Sequence, residues 1–552
     1  MQEFKESHTG NDKEPNNLVT EEVASDDLSA DNVGGNIDPD SGVKRGLKNR
    51  HISMMALAGI IGPGLLVGAG RALANGGPAS LIIGFGVIGV IAFSIMQSLG
   101  EVTTLYPSGG GFITLGARFI NPAFGFVVGW NYFIVWIAVL ANEYNAISSV
   151  LYSWSDKVPI YGYFLLFWTA FGAFQMLGVA AFGESEFWLA LIKLLGLAAF
   201  FIFAIVYAAG GVSSHPAFGF HYWNDPGAFS NGFRGVATVF VFCSTFYAGV
   251  ESVALTATES RNPSKAIPNA IRQVLWRIVF VYMGSAITFG MTCPWDDPLL
   301  KGGATKALQS PMTCAIQHAG WAGGHNLINA FILVTCLSAI NSSIYIGSRT
   351  VLHLAHMGCA PKIFKYTTKS GVPVYAIIFT NLFGFLSLMN ISTGAAEAYN
   401  YIVNLSGVST FIVWAGIAFT AARFRSAWIR QGHTVEELPY RFRLNPFNSY
   451  FGFCVNIFLA FVQGWSVFSP FDAGNFVDSY ILLPVSVLGY LGFAWWTKQF
   501  KWFQLEEIDL NTGRRRDLDG LSEEQTLDTE AEPEDKPPAG LKHRVKKLWS
   551  GS

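Results

Sequence analysis

Long apolar runs, separated by short polar stretches and framed by two polar ends, make up this chain. Twelve runs reach or approach the roughly 20 apolar residues that a helix needs to cross a bilayer. They are 52–73, 80–105, 123–151, 159–181, 186–209, 233–257, 276–293, 325–356, 373–390, 396–422, 447–468 and 479–497. Helices are the expected solution, because a chain in lipid has to satisfy its backbone polar groups internally. The second, third and eighth runs are longer than a perpendicular helix requires and predict tilt or projection beyond the lipid. Residues 1–44 hold few aliphatic side chains and no period, which predicts disorder. The predicted organisation is an N-terminal tail over 1–44, a twelve-helix membrane domain over 45–502 and a C-terminal tail over 503–552. No apolar segment near Met1 reads as a secretory signal.

Composition agrees with that pattern. The 552 residues are 51% hydrophobic, 15% aromatic and 13% charged. A soluble chain carries about 25% charged residues, so an ordinary set of soluble domains and a wholly disordered protein are both excluded. The formal net charge of -2 offers no basic field for nucleic acid. The six cysteines show no CxxC pair and no metal-ligand spacing. Cys243, Cys336 and Cys454 lie in apolar runs and read as small core residues. Cys293 and Cys314 flank one loop, where spacing alone leaves their pairing open.

Charge also sets orientation. Lys44, Arg45, Lys48 and Arg50 precede the first run, and Arg261, Lys265, Arg272 and Arg277 lie between the sixth and seventh. Lys362, Lys365 and Lys369 follow the eighth, and Arg423, Arg425, Arg430, Arg441 and Arg443 follow the tenth. All of these segments fall on one side of a twelve-span topology, so the positive-inside rule places both tails in the cytoplasm. Asn390-Ile391-Ser392 is a glycosylation triplet on the opposite side, too close to the ninth run to favour occupancy.

Two runs carry interruptions. The first contains Gly62-Pro63-Gly64, which disfavours continued helix in mid-membrane. The sixth contains a matching weak point, Phe246-Tyr247-Ala248-Gly249-Val250-Glu251-Ser252. The first and sixth of ten spans are corresponding positions in an inverted five-plus-five repeat. Interruptions at such positions point to a transporter binding site. Half-helix N-termini face an anionic group and unwound carbonyls face a cation, which suits a zwitterion such as an amino acid. A structural kink or a helix-packing notch is the competing explanation for the glycines.

Ionisable residues inside the runs are costly and mark function by default. Glu143 lies in the third run, Lys193 in the fifth and Glu251 in the interruption of the sixth. Glu143 is a candidate for substrate or gate contact, against structural hydrogen bonding. Lys193 is a candidate brace for the unwound segments and a candidate proton carrier, and Glu251 is a second proton candidate. Glu259, Arg349 and His353 read as gate or packing contacts at the cytoplasmic end. No metal-ligand constellation surrounds His353 and His356. No nucleophile–base pair stands in the spans, which argues against an enzyme.

Several segments together carry a resemblance. Gly46-Leu47-Lys48-Asn49-Arg50-His51 leads into the first run, and Pro107-Ser108-Gly109-Gly110-Gly111-Phe112 follows the second. Gly183-Glu184-Ser185-Glu186-Phe187-Trp188 precedes Lys193. Thr258-Glu259-Ser260-Arg261-Asn262-Pro263 follows the sixth run, and Ser348-Arg349-Thr350 lies in the eighth. With these motifs, from about Gly46 to Trp502, the chain resembles the fungal amino-acid permeases of the amino acid–polyamine–organocation superfamily. The resemblance implies an all-α integral membrane fold of twelve transmembrane helices, the first ten an inverted repeat with helices one and six broken. It implies proton-coupled symport of amino acids by alternating access at the plasma membrane.

It also implies a site. The substrate carboxylate would meet Ile60, Gly62, Pro63 and Gly64, and the ammonium would meet the segment Phe246, Tyr247, Ala248 and Gly249. Glu143 would shape the site, while Lys193 and Glu251 would couple the proton. The implied partners are an amino acid, a proton and membrane lipid, with no cofactor, no metal and no nucleic acid. Tails in this family are controlled by ubiquitin, so Lys5 and Lys13 are candidate acceptors for ubiquitin-ligase adaptors. The sequence departs from the family at Pro63, where Thr or Ser is usual, and at Asn142, beside Glu143. The first departure removes a hydroxyl and an amide donor. A receptor with little flux, and a carrier of a related amine such as a polyamine or carnitine, are the alternatives.

Overall fold

A computed structural model describes residues 46–514 except 60, 63, 108–109, 213–215, 258, 260–262, 303–309, 322, 392 and 469–470. The expectations for residues 1–44, Lys5 and Lys13 among them, and for residues beyond 514 lie outside the described residues, as do Ile60 and Pro63. The described residues are helical and contain no β-strand. Among them, nine helices are long and apolar enough to cross a membrane, or ten if the bent pair Ala473–Tyr480 and Leu482–Thr497 is one span.

Each of the twelve expected runs coincides with helix. Spans one to three are Asn49–Gly76, Pro78–Leu105 and Pro122–Trp154. Span four is Ile160–Gln175. Spans five to nine are Val179–Ala208, Gly232–Thr256, Ala266–Thr292, Gly324–His356 and Val374–Ile391. Span ten is Thr393–Arg430, span eleven is Phe447–Val462, and span twelve is the bent pair. Spans four and eleven have 16 residues each, or about 24 Å of helix, which is short for a bilayer core of about 30 Å.

Turn chemistry sets the ends. Asn121 caps span three by accepting from Phe124 N at 2.9 Å, with Pro122 at the first helical position. Gly77 has φ of 83°, and a Cβ there would sit 2.7 Å from Ala228 O, so only glycine fits the tight passage from span one to span two. Span three packs on both span eight and span ten, while span six packs on span two and on the second half of span one. Span five packs on the first half of span one.

The structure adds four features. Span seven begins ten residues earlier than the apolar run predicts, so Arg277, at the edge of that run and counted with the charged loop, lies well within the helix and is fully buried. Its first turns are the amphipathic helix Pro263–Trp276, whose polar face hid it from an apolar count. Cys454 is exposed on span eleven, whereas Cys243 and Cys336 are buried. Asn390 donates to Asn145 Oδ1 at 3.0 Å, so the asparagine of the glycosylation triplet is already engaged in helix packing.

The fourth feature is at the C-terminal end. Residues 503–510 strap across spans two, three and ten: Phe503 N donates to Ile120 O at 3.0 Å and Tyr106 Oη donates to Leu510 O at 2.7 Å. Gln431 Nε2 donates to the carbonyls of Leu505 and Ile508, and Ile508 and Leu510 are buried in a cluster with Tyr106, Phe119, Phe424 and Trp428. The strap also lies with Met357 at the end of span eight, and two turns back Arg349 pairs with Glu259, whose carbonyl accepts from Leu47 N, so both ends of the described chain lie on one face, called here the tail side.

On the far side, a disulfide joins Cys293 to Cys314, 21 residues apart. His318 Nε2 pairs with Asp297 Oδ2 at 2.8 Å, and Leu299 N donates to Asp297 Oδ1 at 2.7 Å. Burial pulls the Asp297 carboxyl upward, but these hydrogen bonds outweigh it and hold its pKa below the usual value. Ser310 Oγ, in the same loop, donates to Leu66 O of span one at 2.7 Å.

Replacing Cys293 and Cys314 by Ser is expected to lower stability by about 3 kcal/mol, from loop-closure entropy. Thermal melting in detergent, with and without a dithiol reductant, checks this: reductant should lower the wild-type melting point and leave the variant unchanged. A depressed carboxylate stabilises above its unfolded pKa and loses that contribution as pH falls through the folded one. The melting-point gap between wild type and Asp297→Asn should therefore close below about pH 4.

Candidate functional site

Span one is helical over Asn49–Met54 and widens into a π-helical turn over Met55–Gly59. Ile61 and Gly62 lie outside any helix, and helix resumes at Gly64. Span six is helical over Gly232–Tyr247 and resumes at Ser252. Between them Gly249 takes φ of 94°, open to glycine without strain. Both predicted breaks are thus present, and they face one cavity of about 80 Å³.

Span one lines the cavity with Gly59, Gly62, Gly64 and Leu65, and span six with Thr245, Phe246 and Ala248. Span three contributes Val135, Trp136, Ala138, Val139, Asn142 and Glu143. Ala339 and Ser342 of span eight and Ser406 of span ten complete the wall. The lining is mostly apolar, with a few polar groups to fix an orientation, as small-molecule sites are. Asn142 Nδ2 lies 3.4 Å from Glu143 Oε1, and Glu143 is buried.

Of the predicted binding residues, Gly62, Gly64, Glu143, Phe246 and Ala248 meet here. Tyr247 and Gly249 do not line the cavity. Neighbours on a helix point in different directions, and the Tyr247 ring turns to the other side of span six. Its Oη donates to Phe85 O at 2.9 Å and its ring stacks on Tyr282 at 3.9 Å. Gly249 N donates to Glu251 Oε1 at 3.1 Å.

The other buried ionisable residues, Lys193, Glu186, Glu251 and Arg277, lie behind the cavity wall. Lys193 is fully buried, and its ammonium donates to Gly59 O at 2.9 Å and Ala58 O at 3.3 Å. Those carbonyls end the first half of span one, where helical partners run out and the helix dipole is negative. Glu186 Oε1 lies 4.0 Å from the same ammonium and accepts from Ser338 Oγ, while Asn341 Nδ2 lies 3.4 Å from Glu186 Oε2. Glu186 was not a sequence candidate. Its spacing of seven residues from Lys193, two helical turns, was the available signal.

Glu251 accepts from Gly249 N through one oxygen and from Trp414 Nε1 of span ten at 2.9 Å through the other. It therefore ties the break of span six to span ten. Arg277, also missed, donates to Tyr282 Oη at 2.7 Å.

The tail-side end below the cavity is closed by contacts among the predicted gate residues. Arg349 Nε pairs with Glu259 Oε1 at 3.1 Å, Tyr345 Oη donates to Glu259 Oε2, and Phe182 stacks on Tyr345 at 3.7 Å. Leu47 N donates to Glu259 O at 3.2 Å, joining the approach to span one to the same knot. His353 Nε2 accepts from Gly110 N at 3.1 Å, a packing role.

Comparison with known proteins follows the same lines. Residues 51–506 match the family model described as amino acid permease. A general amino acid permease of Saccharomyces cerevisiae is 57% identical over 502 residues, covering 91% of this chain and 90% of that protein. An uncharacterized amino-acid permease of Schizosaccharomyces pombe is 50% identical, covering 89% of this chain and 90% of its own length. The basic amino-acid permease of Saccharomyces cerevisiae is 34% identical, covering 86% of this chain and 85% of that one. Among solved structures, a mutant of the Eremococcus coleocola manganese transporter aligns with a TM-score of 0.53 at 13% identity, covering 86% of this chain and 99% of that chain. At that identity the likeness concerns the fold alone.

The glycines of span one differ in what they tolerate. A Cβ at Gly64 would stand 3.4 Å from the Phe246 ring, an ordinary contact, but at Gly68 only 2.8 Å from it. Gly68→Ala is therefore expected to displace Phe246 and cost about 1–3 kcal/mol. Thermal melting in detergent should read that cost as a fall of a few degrees, with Gly64→Ala much milder. Equal effects of the two substitutions would refute the packing argument.

Proposed function

The chain belongs to the amino acid permease family, and on that premise we propose that it is a secondary active transporter that carries amino acids into the cell together with protons, by alternating access. Members of the family are transporters and not enzymes. The cavity between the two breaks is the proposed substrate site. The substrate carboxylate is read at Ile60, Gly62, Pro63 and Gly64, and the ammonium at the carbonyl-rich segment Phe246–Gly249, with Glu143 beside it.

The observation that carries proton coupling is a charge balance. Around the breaks, three buried carboxylates, Glu143, Glu186 and Glu251, stand with two buried cations, Lys193 and Arg277. If all are ionised, one negative charge is left over, and an uncompensated charge in a membrane interior is costly. A zwitterionic substrate does not change the sum. A proton cancels the excess, so loading a proton with the substrate leaves the site neutral for its passage. Lys193 and Glu251 are the proposed proton-coupling residues, and Glu186 extends the set by its position beside Lys193.

The proposed location is the plasma membrane; the Lys- and Arg-rich segments support both tails in the cytoplasm, although Arg277 no longer counts among them. Membrane lipid, and ubiquitin-ligase adaptors acting at Lys5 and Lys13, are the further proposed partners.

Radiolabelled uptake in a host lacking its own permeases tests the reading. Accumulation should require an inward proton gradient and collapse with a protonophore, and a competition panel of amino acids, polyamines and carnitine should be dominated by amino acids. Lys193→Ala should reach the membrane and lose accumulation. Binding without pH-dependent accumulation would favour a receptor instead, and full uptake by Lys193→Ala would remove the lysine from the mechanism.

A further inference from the structure

The two breaks are joined by a buried connection that does not pass through the cavity. Arg277 Nη1 lies 3.5 Å from Ala56 O, in the first half of span one. Its Nη2 donates to Tyr282 Oη at 2.7 Å, and that hydroxyl donates to Phe246 O at 2.9 Å. Arg277 and Tyr282 are both essentially inaccessible to solvent.

Each contact answers a need of the backbone. In an unbroken helix Phe246 O would accept from Val250 N, but that amide turns to Tyr247 O instead. Phe246 O is thus an orphan of the break, and Tyr282 satisfies it. Ala56 O sits near the negative end of the first half-helix, where a cation is favourable.

Local geometry makes the pair possible. Residues Arg277–Met283 form a π-helical turn. A π turn closes residue i on i+5 and brings Arg277 and Tyr282 to one face, where an α-helix would splay them. The guanidinium has two donor edges in a rigid fork and reaches two targets at once, which an ammonium on a flexible stem does poorly. The Tyr282 ring is held between neighbours: it stacks on Tyr247 at 3.9 Å and on Phe85 at 5.8 Å.

We propose that Arg277 and Tyr282 are positioning residues that hold the break of span six in register with the break of span one, so that movement of one broken helix during transport is transmitted to the other. Phe246 is the point of delivery: its carbonyl takes the bond from Tyr282, while its side chain lines the cavity against Gly64 and Gly68. The inference rests on the transport reading above, yet it assigns a role to two residues that do not line the cavity.

The test is concentration-dependent uptake in the permease-deleted host, with surface amount measured for every variant. Tyr282→Phe keeps the ring stacking and removes both hydrogen bonds. It is expected to raise KM about tenfold at unchanged surface amount, the effect of losing a bond that involves a charged group. Arg277→Met should be at least as severe, Arg277→Lys should recover part of the loss, and Arg277→Met with Tyr282→Phe should be no worse than Arg277→Met alone. A purely structural brace would lower surface amount and leave KM unchanged. Tyr282→Phe with KM and maximal rate within about twofold of wild type, or losses that multiply in the double variant, overturns the link. If Arg277→Met does not reach the surface, Tyr282→Phe alone and combined with Arg277→Lys decides by the same criteria. Absence of uptake by the wild-type chain is a different result: it overturns the transport reading and the coupling that rests on it.

Discussion

A helix interrupted inside a bilayer leaves carbonyls that no water can serve, and the centre of this protein is organised around serving them. Span one ends its first half on the carbonyls of Ala58 and Gly59, and Lys193 donates to both. Span six ends its helical part near Phe246, whose carbonyl takes a bond from Tyr282, itself held by Arg277. Two cations are thus drawn into the interior by the breaks. They in turn demand anions, because a lone buried charge is expensive. Glu186 stands beside Lys193, and Glu251 binds the break of span six through Gly249 N. Substrate cavity, buried charges and proposed proton chemistry are then consequences of one constraint.

Much of this was legible in the sequence, for identifiable reasons. Hydrophobic runs mark spans because lipid forbids exposed backbone, so all twelve runs found helices. Gly62-Pro63-Gly64 marks a break because neither residue type supports continued helix. A lysine in an apolar run needs a partner, and Lys193 found one among the broken-helix carbonyls.

The remainder depends on geometry that a linear reading does not contain. Arg277 sits at the edge of an apolar run, after an amphipathic segment, and charge counting assigned it to a loop. Its burial comes from Pro263–Trp276, a helix that continues into span seven. Tyr247 lies between two cavity-adjacent residues in sequence, yet helical rotation sends its ring to Phe85 and Tyr282. The Cys293–Cys314 pairing depends on how one loop folds over the far side of span one, which spacing does not encode. The strap over residues 503–510 reads as polar tail, because only Ile508 and Leu510 of it are buried.

The two cations perform similar backbone service with different chemistry, and the difference bears on how such a site moves. An arginine stays charged at every accessible pH, whereas a buried lysine changes protonation readily. The contact that Arg277 makes through Tyr282 to span six is therefore permanent with respect to protons. The contact that Lys193 makes to span one is held by charge-assisted bonds that weaken when the ammonium gives up its proton. On the proposed reading, the bonds of Lys193 to the first half of span one are the ones a proton releases, while Arg277 keeps that half tied through Ala56 O to span six. The closure nearest that half, where Leu47 binds Glu259 and Arg349 pairs with it beside the Phe182–Tyr345 stack, joins buried polar contacts to ring packing at the tail side. A proton arriving or leaving near Lys193 thus acts on the half-helix that Arg277 couples to span six.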